Sequence, residues 1–131
     1  MRAPIVLACL VLGVATEAIA WAFGWWVYDP WWLGVVNVIA VFGGVFGWLT
    51  SRLADGPWWR RFAAGAAFGV VYEAANLAAL GWWTFPGDRL LLLHGPVALV
   101  VGVGLAWGAV PVMAGVLSTT ASAARPAARR P

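Results

Sequence analysis

Four polar side chains interrupt otherwise apolar runs of this sequence: Glu17, Asn37, Glu73 and Asn76. A charged group at the centre of a bilayer costs on the order of 2.5–3.5 kcal/mol on insertion scales, so two acids in such runs call for an explanation. Two carboxyls brought together away from water do not both ionise, and the pair holds one shared proton near neutral pH. That chemistry suits an acid/base group acting on a lipid-soluble substrate, the proton site of a carrier, or a polar anchor for an apolar ligand. It also suits neutral Glu side chains that glue helices together through Asn or backbone partners. Trp21, Tyr72 and His94 complete the candidate ligand-binding set with Asn37 and Asn76. On a helix Trp21 is i+4 from Glu17 and walls the same space, while Glu73 and Asn76, at i and i+3, share a face. His94 is the only histidine, and stands as an interfacial cap or as a proton donor to the acids. One His and two Glu without a Glu-x-x-His pair make no metal site. No cofactor is implied, since there is no Gly-rich phosphate loop, Ser/His/Asp set or Cys pair.

These residues act together only if the runs that carry them cross a membrane. The 131 residues are 63% hydrophobic and only 10% charged, with eleven Trp. A soluble domain this small cannot hide that much apolar surface, which excludes a soluble globular protein, a disordered chain and a disulfide scaffold. The lone Cys9 sits in an apolar run. Four stretches reach the roughly 20 residues that a span needs, at 3–26, 31–50, 62–83 and 96–117. Their short connections predict an all-α, up-down bundle of four transmembrane helices over residues 1–118. Pro96 suits the first turn of the last span, with Leu90–Leu93 laid in the interface, and Pro111 is placed to kink it. An A-x-A signature at Ala18-Ile19-Ala20 resembles a secretory cleavage site, but Glu17 precedes it and the apolar run continues through Trp26.

Charge sets the orientation. All eight basic residues are Arg, scattered around the spans rather than gathered in a patch, which argues against a nucleic-acid partner. Seven of them (Arg2, Arg52, Arg60, Arg61, Arg125, Arg129, Arg130) fall on one side, and only Arg89 lies opposite, beside Asp88. The positive-inside rule then places both termini and the middle loop in the cytoplasm, in the cell (inner) membrane of a bacterium or archaeon. Trp25, Trp26, Tyr28, Trp31, Trp32, Trp82, Trp83 and Phe85 read as an outer interfacial belt. The 119–131 segment, Ala, Ser, Thr, Pro and Arg, reads as a disordered cytoplasmic tail near anionic lipid.

With this orientation the polar residues fall in one layer. At 1.5 Å per residue Glu17 lies about 12 Å below Trp25, Asn37 about 9 Å below Trp31, Asn76 about 10 Å and Glu73 about 15 Å below Trp83. The layer also shows an internal repeat. Thr16-Glu17-Ala18 leads to Gly24-Trp25-Trp26-Val27-Tyr28, and Tyr72-Glu73-Ala74 leads to Gly81-Trp82-Trp83-Thr84-Phe85. Both copies run outward, so the two hairpins form a parallel repeat about an axis along the membrane normal. Toward the cytoplasm, Gly43-x-x-x-Gly47, Gly65-x-x-x-Gly69 and Gly104-x-x-x-Gly108 permit close helix approach. The expected shape is a wedge, tight inside and open to a pocket outside.

An acid in a span, a Gly-x-Trp-x-aromatic exit and a Pro-initiated later span resemble small membrane proteins of carotenoid biosynthesis, of the lycopene-cyclase-type and related hydratase-associated families. Glu17 with Gly24, Trp26 and Tyr28, and Glu73 with Gly81, Trp83, Phe85 and Pro96, carry the resemblance over about a third of the chain. It implies a protein that binds or modifies an apolar, isoprenoid-like molecule, with Glu17 and Glu73 as acid/base pair or polar anchor. Two other classes fit the same residues: a small proton-coupled transporter, and a structural or assembly subunit of a membrane complex. The partners are then membrane lipids, an apolar small molecule, and a second copy or a larger membrane complex.

Overall fold

Lipid offers no partner for backbone N–H and C=O groups, so apolar runs of this length wind into helices. The computed structural model describes residues 1–85 and 96–123 and contains four helices long and apolar enough to cross a membrane. The chain is an all-α, multi-pass bundle. Span one is α1 (Ala3–Phe23). Span two is continuous from Trp32 to Arg52, built of α2 (Trp32–Val36), a π-helical stretch Asn37–Phe46 and α3 (Gly47–Arg52). Span three is α4 (Trp58–Ala75) continued by a π-helical turn Asn76–Leu80. Span four is α5 (Pro96–Ala106) followed by α6 (Ala109–Ala123).

Several boundaries move from where hydropathy alone sets them, each for a local reason. Gly24 and Gly81 take left-handed conformations (φ 60 and 58), which end the helices before the Trp pairs. The chain after each glycine extends and forms β1 (Val27–Tyr28) and β2 (Trp83–Thr84), paired antiparallel with Val27 opposite Thr84 and Tyr28 opposite Trp83. Span three begins at Trp58 rather than 62, because Pro57 with ψ 148 sets the start of the helix. Pro96 opens α5, as its ring favours. Pro111 has no N–H for the Trp107 carbonyl four residues earlier, and the span breaks there, at Trp107-Gly108. The Val110 N–H takes that carbonyl instead, at 3.2 Å. At the far end the helix runs to Ala123, past the expected end at 117. The hydroxyls of Thr119 and Thr120 return to carbonyls of Val116 and Leu117, so the supposed tail is helical over its first residues. Leu90–Leu93, Asp88, Arg89, His94 and the rest of the tail lie outside the described residues.

The core is aromatic and joins three spans. Phe42 and Phe46 of span two pack on each other and on Trp107, with ring centroids 5.3–5.8 Å apart, and Cys9 of α1 is fully buried among the same core residues. α1 is therefore part of the bundle. The glycine faces meet one another: a Cβ on Gly65 would touch Pro111 and Gly108, and one on Gly69 would lie 2.5 Å from the Gly104 carbonyl oxygen. Gly43 and Gly47 give the same close approach to Leu10 and Val6 of α1. Outward-facing apolar residues such as Leu7, Val14, Val71 and Val97 are exposed, as lipid contact requires. At the Arg-rich end Arg2 bonds Ser51 and pairs with Asp55 at 2.9 Å, so the amino terminus and the loop between spans two and three share one side.

Candidate functional site

The hairpin end of the bundle carries the acids, and the local fold explains how each finds its partners. Glu17 sits nearly two turns before the end of α1. The left-handed Gly24 turns the chain back, and in the extended segment that follows, alternate residues face one side. Trp26 and Tyr28 therefore both point back at Glu17. The Trp26 indole N–H donates to Glu17 Oε2 at 3.1 Å, and the Tyr28 hydroxyl donates to Oε1 at 2.7 Å. From span two the Asn37 amide donates to Oε1 at 2.7 Å and to the Tyr28 oxygen at 3.0 Å. From span three the Tyr72 hydroxyl donates to the Asn37 carbonyl oxygen at 2.8 Å. Span two and the hairpin segment thus close on the carboxyl group of span one, and span three joins through Asn37. Burial, and next the adjacent Glu17 carboxylate, push the Tyr28 hydroxyl upward from the ordinary tyrosine value, so it stays a donor.

Glu73 has a separate setting. It is 3% exposed, with Trp107 donating to Oε1 at 2.8 Å and Trp83 donating to Oε2 at 3.3 Å. Asn76, also buried, works on backbone: its amide donates to the Trp83 carbonyl, and its carbonyl oxygen accepts from the N–H groups of Trp82 and Trp83. It ties β2 to the end of span three. The π-helical stretches of spans two and three begin at these two asparagines, Asn37 and Asn76.

The expected single site is therefore two clusters in one layer. Glu17, Asn37 and Tyr72 are brought together as the depth estimates suggest. Glu73 and Asn76 are not joined to them by any hydrogen bond among the described residues; the clusters meet through rings, with Tyr72 4.9 Å and Tyr28 5.9 Å from Trp83. Each acid has its own donors, so the structure removes the need for a proton shared directly between the carboxyls. Trp21 is 86% exposed on the flank of α1 and, with Glu17, lines an open pocket of about 650 Å³ between the end of α1, β1 and the start of span two. Trp26, Tyr28, Trp31 and Gly34 line it too. Glu73 and Asn76 do not, and His94 falls outside the described residues.

Comparison with protein-family models, with curated proteins and with solved structures gives no match.

Three of the residues that matter most, Trp26, Tyr28 and Trp83, belong by sequence to the outer interfacial belt but turn inward to the acids. Trp25, Trp31 and Trp32 are exposed. The i, i+2 spacing of Trp26 and Tyr28 after a helix-ending glycine was the available signal that these two turn inward. Trp107 was not singled out; a lone Trp inside a glycine-rich span was its only mark. Among the described residues no group of three His, Cys, Asp or Glu could hold a metal ion.

Proposed function

We propose that this chain binds or modifies an apolar, isoprenoid- or lipid-like molecule at the Glu17 pocket, with Glu17 meeting the polar end of that molecule. One observation carries the reading: a half-buried carboxylate, fixed by three donors, lies in the wall of a 650 Å³ pocket that is otherwise apolar and aromatic. Such pockets, mostly apolar with a few placed polar groups, are what small-molecule sites look like. Glu73, sealed between two indoles, then holds spans three and four together, and Asn37 and Tyr72 hold Glu17 in register. The carotenoid-type resemblance agrees with a polyprene ligand. The Arg distribution supports a cytoplasmic side for both termini in the cell membrane, and with that orientation the pocket faces the outer leaflet.

The proton-carrier reading gains less from this geometry. Among the described residues no hydrogen bond links the two acids, and the groups that reach Glu73 are indole N–H groups, which donate but cannot accept. The test is mass spectrometry of the molecules that copurify with the protein from membranes of the expressing cell. A defined apolar species should accompany the wild type and be depleted in Glu17→Gln and in Trp31→Ala. Equal profiles for wild type and both folded variants would overturn the proposal.

A further inference from the structure

We infer that the polar end of the pocket's ligand is a cation: an alkylammonium head on an apolar body. This rests on the Glu17 pocket being a ligand site and specifies the head that the site selects. Among the described residues Glu17 is the only formally charged one lining the pocket. Every group that reaches its carboxyl among the described residues is a donor: the Trp26 indole, the Tyr28 hydroxyl and the Asn37 amide. Three donors and no acceptor match an ionised carboxylate, which only accepts. Oε1 receives two of them and Oε2 one, so Oε2 is the less occupied oxygen and the one left to face the charge of a ligand.

The rest of the lining is what a cation prefers. Trp21, Trp26, Tyr28 and Trp31 bring four aromatic side chains to the lining of the same pocket. Ring faces carry the negative part of the aromatic quadrupole and attract ammonium groups, Trp most strongly. None of the described Arg side chains pairs with Glu17. Arg2 pairs with Asp55, Arg52 lies over Trp48, and Arg60 lies over Trp59, all at the opposite end of the spans. Among the described residues a phosphate or carboxylate head would meet Glu17 with no cation to compensate it. A neutral alcohol would satisfy Oε2 and make no use of the rings. The same head occurs on a free amphiphilic ammonium and on a choline-type lipid headgroup.

Equilibrium dialysis of labelled decyltrimethylammonium and of decanol against the full chain in maltoside micelles tests this, with empty micelles as the blank. The ammonium should bind saturably, one per chain and at least tenfold tighter than decanol. Glu17→Gln should weaken it tenfold or more. Trp21→Leu, at an exposed position whose change leaves the bundle intact, should weaken it severalfold and serves if Glu17→Gln does not fold. Phosphatidylcholine added to the micelles should either compete, which assigns the head to a lipid, or leave binding unchanged, which assigns it to a free amphiphile. Decanol binding as tightly as the ammonium would leave the ligand site standing and overturn the cationic head. Unchanged ammonium binding in the folded variants would overturn the assignment to this pocket. No saturable binding of either compound would overturn both the head and the site.

Discussion

Asn37→Leu is the sharpest perturbation of the site. The two side chains are close in size, so the change removes hydrogen bonds without opening a large cavity. Asn37 is 4% exposed and links three parts of the fold, donating to Glu17 of α1 and to Tyr28 of β1 and accepting from Tyr72 of α4. Side-chain bonds between membrane helices average about 0.6 kcal/mol and reach about 1.7 kcal/mol. Three of them give roughly 2–5 kcal/mol, with the upper half favoured because Tyr72 is left with a donor and no acceptor. Reversible unfolding in bicelles measures the loss. A double-mutant cycle with Glu17→Gln should return a coupling of about 1 kcal/mol, since the two residues are in direct contact. A loss below about 0.5 kcal/mol, within the range of an ordinary surface substitution, would refute the claim that Asn37 holds the layer. So would additivity with Glu17→Gln.

Other outcomes follow from the same contacts. Gly69→Ala should destabilise by about 1–3 kcal/mol, because its Cβ would meet the backbone oxygen of Gly104 at 2.5 Å, whereas Gly44→Ala, with nothing nearer than 3.8 Å, should be neutral or slightly stabilising in the same assay. Trp107→Phe should cost about 1.5–3 kcal/mol by removing the closer of the two donors to the buried Glu73, and loss of thermal stability without loss of ligand binding would confirm that Glu73 is structural. Tyr28, whose hydroxyl is pushed above its ordinary value of 10.0, should still be phenolic at about pH 11 by carbon NMR of its ring. Its contribution to stability is complete below the unfolded value and is lost as pH rises above it, so Tyr28→Phe should flatten the alkaline limb of the stability curve; a midpoint near 10.0 would refute the burial of this group.

Class and topology were legible because the bilayer acts locally. A run of twenty apolar residues has no alternative to a helix in lipid, and short connections leave little choice but antiparallel neighbours. The start at Pro96 and the glycine faces were legible for a related reason, since a ring without an N–H and a residue without a side chain constrain the backbone wherever they occur. The common depth of Glu17 and Asn37 followed from helical rise alone.

The sequence by itself therefore determined four spans, where the polar residues sit along them, and which glycines allow close approach. Only the tertiary structure decided which donor meets which acid. The left-handed turns at Gly24 and Gly81 reverse the chain and swing Trp26, Tyr28 and Trp83 from the belt into the bundle. The break that Pro111 forces at Trp107 accompanies an indole aimed at Glu73 from another span. These outcomes depend on contacts between residues 9 to 34 positions apart, and no local pattern encodes the direction in which a side chain leaves a turn.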